Sequence, residues 1–238
     1  FRPKGEISPH NRTSCLPGLG VQSARNHFPE RTERMYKIGL VGCGSISRAH
    51  IEGYLTIPER VKITAICDVV QSALDRTTEK IGPAERYDSY DQMIARADID
   101  AVDIMLPHHL HKDAIVKAAN NGKHILCEKP LCISLEQAEE ITEAVESNGI
   151  TLMCAHNQVF SPCIQEAKRR LVEGELGEIF QIRTCDCFRL DPNFEFGWRG
   201  ALATAGGGEL IDTGYHPSYL LMHLTGSRPV AVTAMLCL

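Results

Sequence analysis

The chain has 238 residues, 43% hydrophobic and 23% charged, with a formal charge of -5, a globular composition long enough for one large or two moderate domains. The acidic balance gives no basic footprint for nucleic acid, no apolar run reaches the about 18 residues that cross a bilayer, and no secretory core is visible, so the cytoplasm is the expected compartment. The ten cysteines show no metal-ligand spacing; Cys43, Cys67, Cys127, Cys132 and Cys154 lie in or beside apolar runs and read as small buried hydrophobes, so no metal is expected.

Residues 1–34 carry neither hydrophobic period and are rich in Pro, Gly, Arg and Ser, which predicts a disordered or non-native leader. From Lys37 short β-rich runs alternate with helical ones. "KIGLVGC" (37–43) is a buried strand, 45–57 a helix, "VKITAICD" (61–68) a second strand and 71–80 a second helix. A short strand at 85–87 and a helix over 90–96 follow. The runs "AVDIMLP" (101–107), "HILCEKP" (124–130) and "TLMCAHN" (151–157) are strands separated by helices over 109–121 and 135–147. Near-continuous apolar strands alternating with helices imply a parallel sheet covered on both faces, a doubly wound α/β domain over 35–157. Beyond Asn157 the rhythm changes. A helix over 162–173 leads to an alternating strand, "EIFQIRTCDCFRL" (178–190), which would turn Cys185 and Cys187 to one face. Next come a loop containing Trp198 and Arg199, a glycine run 206–208 with a helix carrying Asp212 and His216, and an apolar strand over 229–238. These long strands predict the truncated start of an α+β open-sheet domain over 158–238.

The first strand runs into Gly42-Cys43-Gly44-Ser45-Ile46-Ser47. Gly42 allows a tight turn, Gly44 lets backbone approach a pyrophosphate, and Ser47 is small enough for the third fingerprint position. The free amides at the following helix start suit an anion. A glycine pattern alone also fits a plain strand-to-helix turn; here it follows the first strand of a parallel repeat. Asp68 ends the second strand, where an acid binds adenosine ribose hydroxyls and repels a 2'-phosphate. With Val69 and Val70 supplying no cation, NAD is favoured over NADP.

Three further stretches, "GKHILCEKPL" (122–131), "HNQVFSP" (156–162) and "GWRGALATAGGGELIDTGYH" (197–216), together with the glycine loop make the chain resemble the glucose-fructose oxidoreductase and inositol dehydrogenase family, Gfo/Idh/MocA, from about Tyr36 onward. The resemblance implies a Rossmann domain followed by a mostly antiparallel sheet domain, with the active site between them. It implies hydride transfer between a nicotinamide ring and a hydroxyl-bearing carbon of a sugar, polyol or inositol-like molecule, and a homo-oligomeric parent protein. Lys129, Asp212 and His216 would be catalytic, with His216 as acid/base. Gly42, Gly44, Ser45, Ile46, Asp68, Leu106, Pro107, His111, Glu128, Lys129 and Asn157 would line the cofactor pocket. Trp198, Arg199, Asp212 and His216 would meet substrate.

The residue chemistry supports these roles. Oxidising an alcohol needs a base with a pKa near working pH, and histidine starts near 6.5. An ammonium such as Lys129 stabilises alkoxide charge. Asp212 and His216, four residues apart, would share one helix face. Pro217 departs from that picture by breaking the hydrogen bond to Thr213, and Tyr219 stands where many relatives carry an acid. "PHHLH" (107–111) replaces the commoner family sequence, leaving His108 and His109 either in the cleft or on the surface. Two other functions fit the same motifs: an NAD-retaining hydrolase or isomerase that oxidises its substrate transiently, and a non-catalytic NAD-binding sensor.

Overall fold

The computed structural model describes residues 34–187, 189–191 and 193–235, so the leader expected over 1–34 lies outside the described residues apart from Arg34. Six strands, β1 (Tyr36–Val41), β2 (Val61–Cys67), β3 (Glu85–Tyr87), β4 (Ala101–Ile104), β5 (His124–Cys127) and β6 (Leu152–Cys154), form one parallel sheet in the order β3-β2-β1-β4-β5-β6. Val41 pairs with both Cys67 and Ile104, Ile104 with Cys127, and Cys127 with Cys154. The carboxyl ends of the strands are therefore level, and the segments that follow them share one edge. The strand order reverses between β1 and β4, which opens a crevice at that edge.

Helices cover both faces because strand side chains alternate. On one face Ile38 and Leu40 of β1 pack with Ile51 of α1 (Ser47–Tyr54) and with Ala73 and Leu74 of α2 (Gln71–Ile81). On the other, Val41, Val102 and Ile104 pack with Met93 of α3 (Tyr90–Arg96), Ile115 and Ala118 of α4 (His108–Asn120) and Ile141 of α5 (Leu135–Asn148). Each buried Leu or Ile contributes about 1.5–3 kcal/mol. Ser89 and Ser134 cap α3 and α5 by accepting the Gln92 and Gln137 amides, and Gly149 stops α5 in the left-handed region. The sequence expectation for α1 is too long at both ends: Ser45 and Ile46 stay in the glycine turn, and the helix stops at Tyr54.

After β6, a 3-10 turn (Asn157–Phe160) leads to α6 (Pro162–Val172). Neither strand expected beyond it forms among the described residues of 178–190 and 229–235. Phe180 is 96% exposed. Alternation selects a face, but a strand also needs a neighbour for its backbone groups, and the described residues provide none. Instead a 3-10 turn (Gly197–Gly200) and two short helices, α7 (Leu202–Ala205) and α8 (Glu209–Asp212), precede α9 (Tyr215–Thr225). The single helix expected to carry Asp212 and His216 is thus two helices, broken at Thr213 and Gly214. The break removes the difficulty with Pro217. As the third residue of α9 it sits in the first turn, where amides have no intrahelical acceptor.

Candidate active site

The strand-end edge holds a cleft of about 830 Å³, a size suited to a small-molecule ligand. Its floor is the glycine loop. Gly42 has φ +93°, and a Cβ there would lie 2.5 Å from the Met105 carbonyl oxygen, so the turn that brings β1 close to the end of β4 admits only glycine. A Cβ on Gly44 would meet nothing within 4 Å; that position is open to the cleft it lines. Ser47 is buried and donates from its hydroxyl to the Gly44 carbonyl at 2.7 Å. The start of α1 has no side-chain cap, and the Ala49 amide bonds the Ile46 carbonyl, which leaves the amides before it to a ligand or water. Asp68 spans the loop and the end of β2, accepting from the Cys43 amide at Oδ2 and the Val70 amide at Oδ1, each at 2.7 Å. Each carboxylate oxygen retains a lone pair for a ligand hydroxyl. An open glycine floor, an uncapped helix start and a carboxylate at the end of β2 fit a dinucleotide.

Ser45, Ile46, Leu106, Pro107, Glu128 and Lys129 also line this cleft, whereas His111 and Asn157 do not. His111 is fully buried in α4, with Nδ1 2.8 Å from the Pro130 carbonyl and Nε2 2.7 Å from that of Leu106. Burial lowers its pKa. It ties together the segments that follow β4 and β5, which gives it a supporting place behind the cleft wall. Asn157 opens the 3-10 turn after β6 and is exposed. A motif position identified its neighbourhood, while the direction of the side chain depended on how the chain left the sheet.

Also on the cleft wall, Lys129 donates from Nζ to Asp212 Oδ1 at 2.9 Å and to the Asp212 carbonyl at 2.6 Å. Arg199 Nε donates to Asp212 Oδ2 at 2.8 Å, and its guanidinium lies 4.2 Å from the Trp198 ring centre. Burial pushes the Asp212 carboxyl up, but Lys129 and then Arg199 outweigh it and hold the group below the ordinary range. Lys129, Trp198 and Arg199 wall the cleft; Asp212 stands behind them. His216, in the first turn of α9, is half-buried within electrostatic reach of Lys129, Glu128, Asp186 and Asp212, outside the cleft wall. Burial first, and then Lys129, lower its pKa, so the imidazole is neutral at pH 7. His108 belongs to the cleft rather than to the surface. It is 2% exposed, its Nδ1 is 2.9 Å from the Ala205 carbonyl, its Nε2 is 3.7 Å from Asp212 Oδ1, and its ring meets Trp198 edge-on at 4.5 Å. A Cβ on Gly206, the first of the glycine run, would lie 2.5 Å from Ile133, so this glycine lets α7 pack against the segment after β5.

The sequence reading missed a buried polar group directly beneath this edge. His50 of α1 has Nδ1 2.8 Å from Asp103 Oδ2 in β4 and Nε2 2.9 Å from Glu128 Oε1. Tyr54, one turn on, donates to the same Asp103 oxygen at 3.0 Å, and Glu128 Oε2 accepts the Lys129 amide at 3.0 Å. A signal existed in the sequence: an aspartate inside the apolar run "AVDIMLP" demands a partner when buried, and His50 and Tyr54 lie on one helix face after the glycine loop.

Residues 36–156 match the model of an oxidoreductase family with an NAD-binding Rossmann fold, and residues 164–237 match that of the GFO/IDH/MocA C-terminal domain. The chain is 31% identical over 208 residues to levoglucosan dehydrogenase of Pseudarthrobacter phenanthrenivorans, covering 84% of this chain and 53% of that protein. It is 29% identical over 200 residues to 2,7-anhydro-N-acetylneuraminate hydratase of Escherichia coli, covering 84% and 52% respectively. A solved levoglucosan dehydrogenase in complex with NADH and levoglucosan superposes with a TM-score of 0.71 at 28% identity, over 80% of this chain and 54% of that one. The chain thus spans about half the length of the relatives it matches. Two family models in sequence, a parallel sheet of order 3-2-1-4-5-6 and a glycine floor at its switch point agree, and the chain belongs to the GFO/IDH/MocA oxidoreductase family, with an NAD-binding Rossmann domain at residues 36–156.

Proposed function

We propose that the chain carries the cofactor site and the reactive end of a dehydrogenase that moves a hydride between NAD and a hydroxyl-bearing carbon of a sugar, polyol or inositol-like substrate. The observation that carries this reading is the Lys129 ammonium, held 2.9 Å from Asp212 in the cleft that also contains Gly42, Gly44 and Asp68. The glycine loop and the start of α1 would hold the pyrophosphate, and Asp68 would take the adenosine ribose hydroxyls and oppose a 2'-phosphate, which favours NAD over NADP. NAD held there would supply the acceptor for the hydride of the substrate carbon. The remaining work falls to side chains. His216, neutral at pH 7, takes the hydroxyl proton. Lys129 stabilises the negative charge that develops on that oxygen. Asp212 holds Lys129 and Arg199 toward one point, and Trp198 and Arg199 offer a flat face and a fork of donors to substrate hydroxyls. A cytoplasmic, homo-oligomeric enzyme belongs to the same reading.

The test is NAD reduction by the full-length protein across a panel of sugars and inositols, repeated with Lys129→Ala and His216→Ala. A substrate in the panel should reduce NAD, and each variant should lose about a hundredfold or more in kcat. Unimpaired turnover by Lys129→Ala would remove the basis of the proposal. The hydratase among the relatives favours a second reading, transient oxidation with NAD retained. Product formation without net NADH would select it.

A further inference from the structure

The His50 group has a geometry that the proposed reaction does not yet use. Both ring nitrogens face carboxylate oxygens, at 2.8 Å and 2.9 Å, and an ionised carboxylate can only accept. Making both hydrogen bonds therefore requires a proton on each nitrogen, which is the imidazolium. The groups facing the ring are Asp103 on β4, which also accepts from Tyr54 on the same helix as His50, and Glu128 at the end of β5. Asp103 is fully buried, its Oδ1 has no hydrogen-bond partner among the described residues, and its Oδ2 meets both His50 and the Tyr54 hydroxyl. Glu128 has both oxygens engaged, Oε1 with His50 and Oε2 with the Lys129 amide. A carboxylate fixed in that way keeps its orientation beside Lys129, whose ammonium bonds Asp212.

We propose that His50 is a positioning residue: held as an imidazolium between Asp103 and Glu128, it fixes the Glu128 carboxylate beside Lys129 and offsets the Glu128 charge at the His216 imidazole. His50 does not line the cleft, so it acts through Glu128 and not on cofactor or substrate. Burial alone would lower the pKa of His50, but the hydrogen bonds and charges of Asp103 and Glu128 overcome it and raise the value to about 10. Burial and then Lys129 lower the His216 pKa, while the charges of Glu128, Asp186 and Asp212 raise it, with His156 nearby. Replacing His50 by a neutral side chain leaves the Glu128 charge uncompensated.

The inference rests on the dehydrogenase reading for its catalytic meaning, but its test does not require turnover. Ring resonances of 15N-labelled histidine are followed by NMR from pH 5 to about 10 in the unmodified chain, in His50→Gln and in His50→Gln/Glu128→Gln. In the unmodified chain His50 should show two protonated ring nitrogens throughout the neutral range. In His50→Gln the His216 midpoint should move to higher pH, and in the double variant it should return toward its starting value. A neutral His50 ring at pH 7, or a His216 midpoint unmoved by His50→Gln, would overturn the proposal. The unmodified-chain measurement decides the protonation state even if the variants fail to fold. If a substrate is found, kcat of His50→Gln should fall about tenfold or more with NADH affinity preserved. An NMR result as expected from a protein that oxidises nothing would sink the dehydrogenase reading and leave the charge arrangement standing.

Discussion

Replacing Gly42 and Gly44 by alanine separates the two jobs of the glycine loop. At Gly42, φ is +93° and the new Cβ would sit 2.5 Å from the Met105 carbonyl oxygen, a backbone atom held at the end of β4 by its place in the sheet. The unfavourable backbone conformation costs about 1–2 kcal/mol, and forcing a carbon into a filled site adds about 1–3 kcal/mol. For a chain of this size each kcal/mol lowers Tm by about 2–4 °C, so Gly42→Ala should melt roughly 4–20 °C below the parent. Gly44 has no such neighbour: its Cβ would enter empty space in the cleft, and its backbone lies outside the positive-φ region. Gly44→Ala should keep the parental Tm while filling the room a pyrophosphate needs, weakening NADH binding by about tenfold or more, which is about 1.4 kcal/mol. Thermal unfolding by circular dichroism and NADH titration by fluorescence read the two effects separately. An unchanged Tm for Gly42→Ala, or parental NADH affinity for Gly44→Ala, would refute the assignment of the loop.

Other outcomes follow from the same structure. The His50 pKa is raised above its unfolded value, to about 10, so the stability it contributes is fully present below about pH 6.5 and is lost as pH rises toward 10. Tm should therefore fall across that window in the parent and less steeply in His50→Gln; parallel curves would contradict the raised value. Asp68→Ala should weaken NADH binding and narrow the preference for NADH over NADPH, measured by competitive titration; an unchanged ratio would place the ribose elsewhere. Ile115→Ala, at a fully buried position between α4 and the sheet, should cost about 2–5 kcal/mol in urea unfolding. A cost below about 1 kcal/mol would mean the helix layer is not packed as described.

The sequence by itself determined the α/β layer. Runs such as "IGLV" (38–41) and "AIC" (65–67) put apolar residues on both faces, which suits a sheet covered on both sides, and the helices between the strands are marked by Ser89, Ser134 and Gly149 at their ends. The glycine loop and Asp68 were legible for the same reason: local backbone demands and strand ends leave a signature within a few residues. The tertiary structure alone decided what lies beyond the reach of local pattern. Alternation over 178–190 did not yield a strand, because pairing requires a partner that the described residues do not supply. Asp212 and His216 lie on different helices, and Pro217 sits in the first turn of the second, where its missing amide costs no intrahelical bond. His111 and Asn157 share motif stretches with the cleft residues but face elsewhere, and His108, which the sequence left open, was turned inward by Ala205 and Trp198. Most dependent on the fold is His50, whose two carboxylates come from 53 and 78 residues away. Charge partners at that separation become neighbours only because β1, β4 and β5 end level on one edge of the sheet, with α1 starting there.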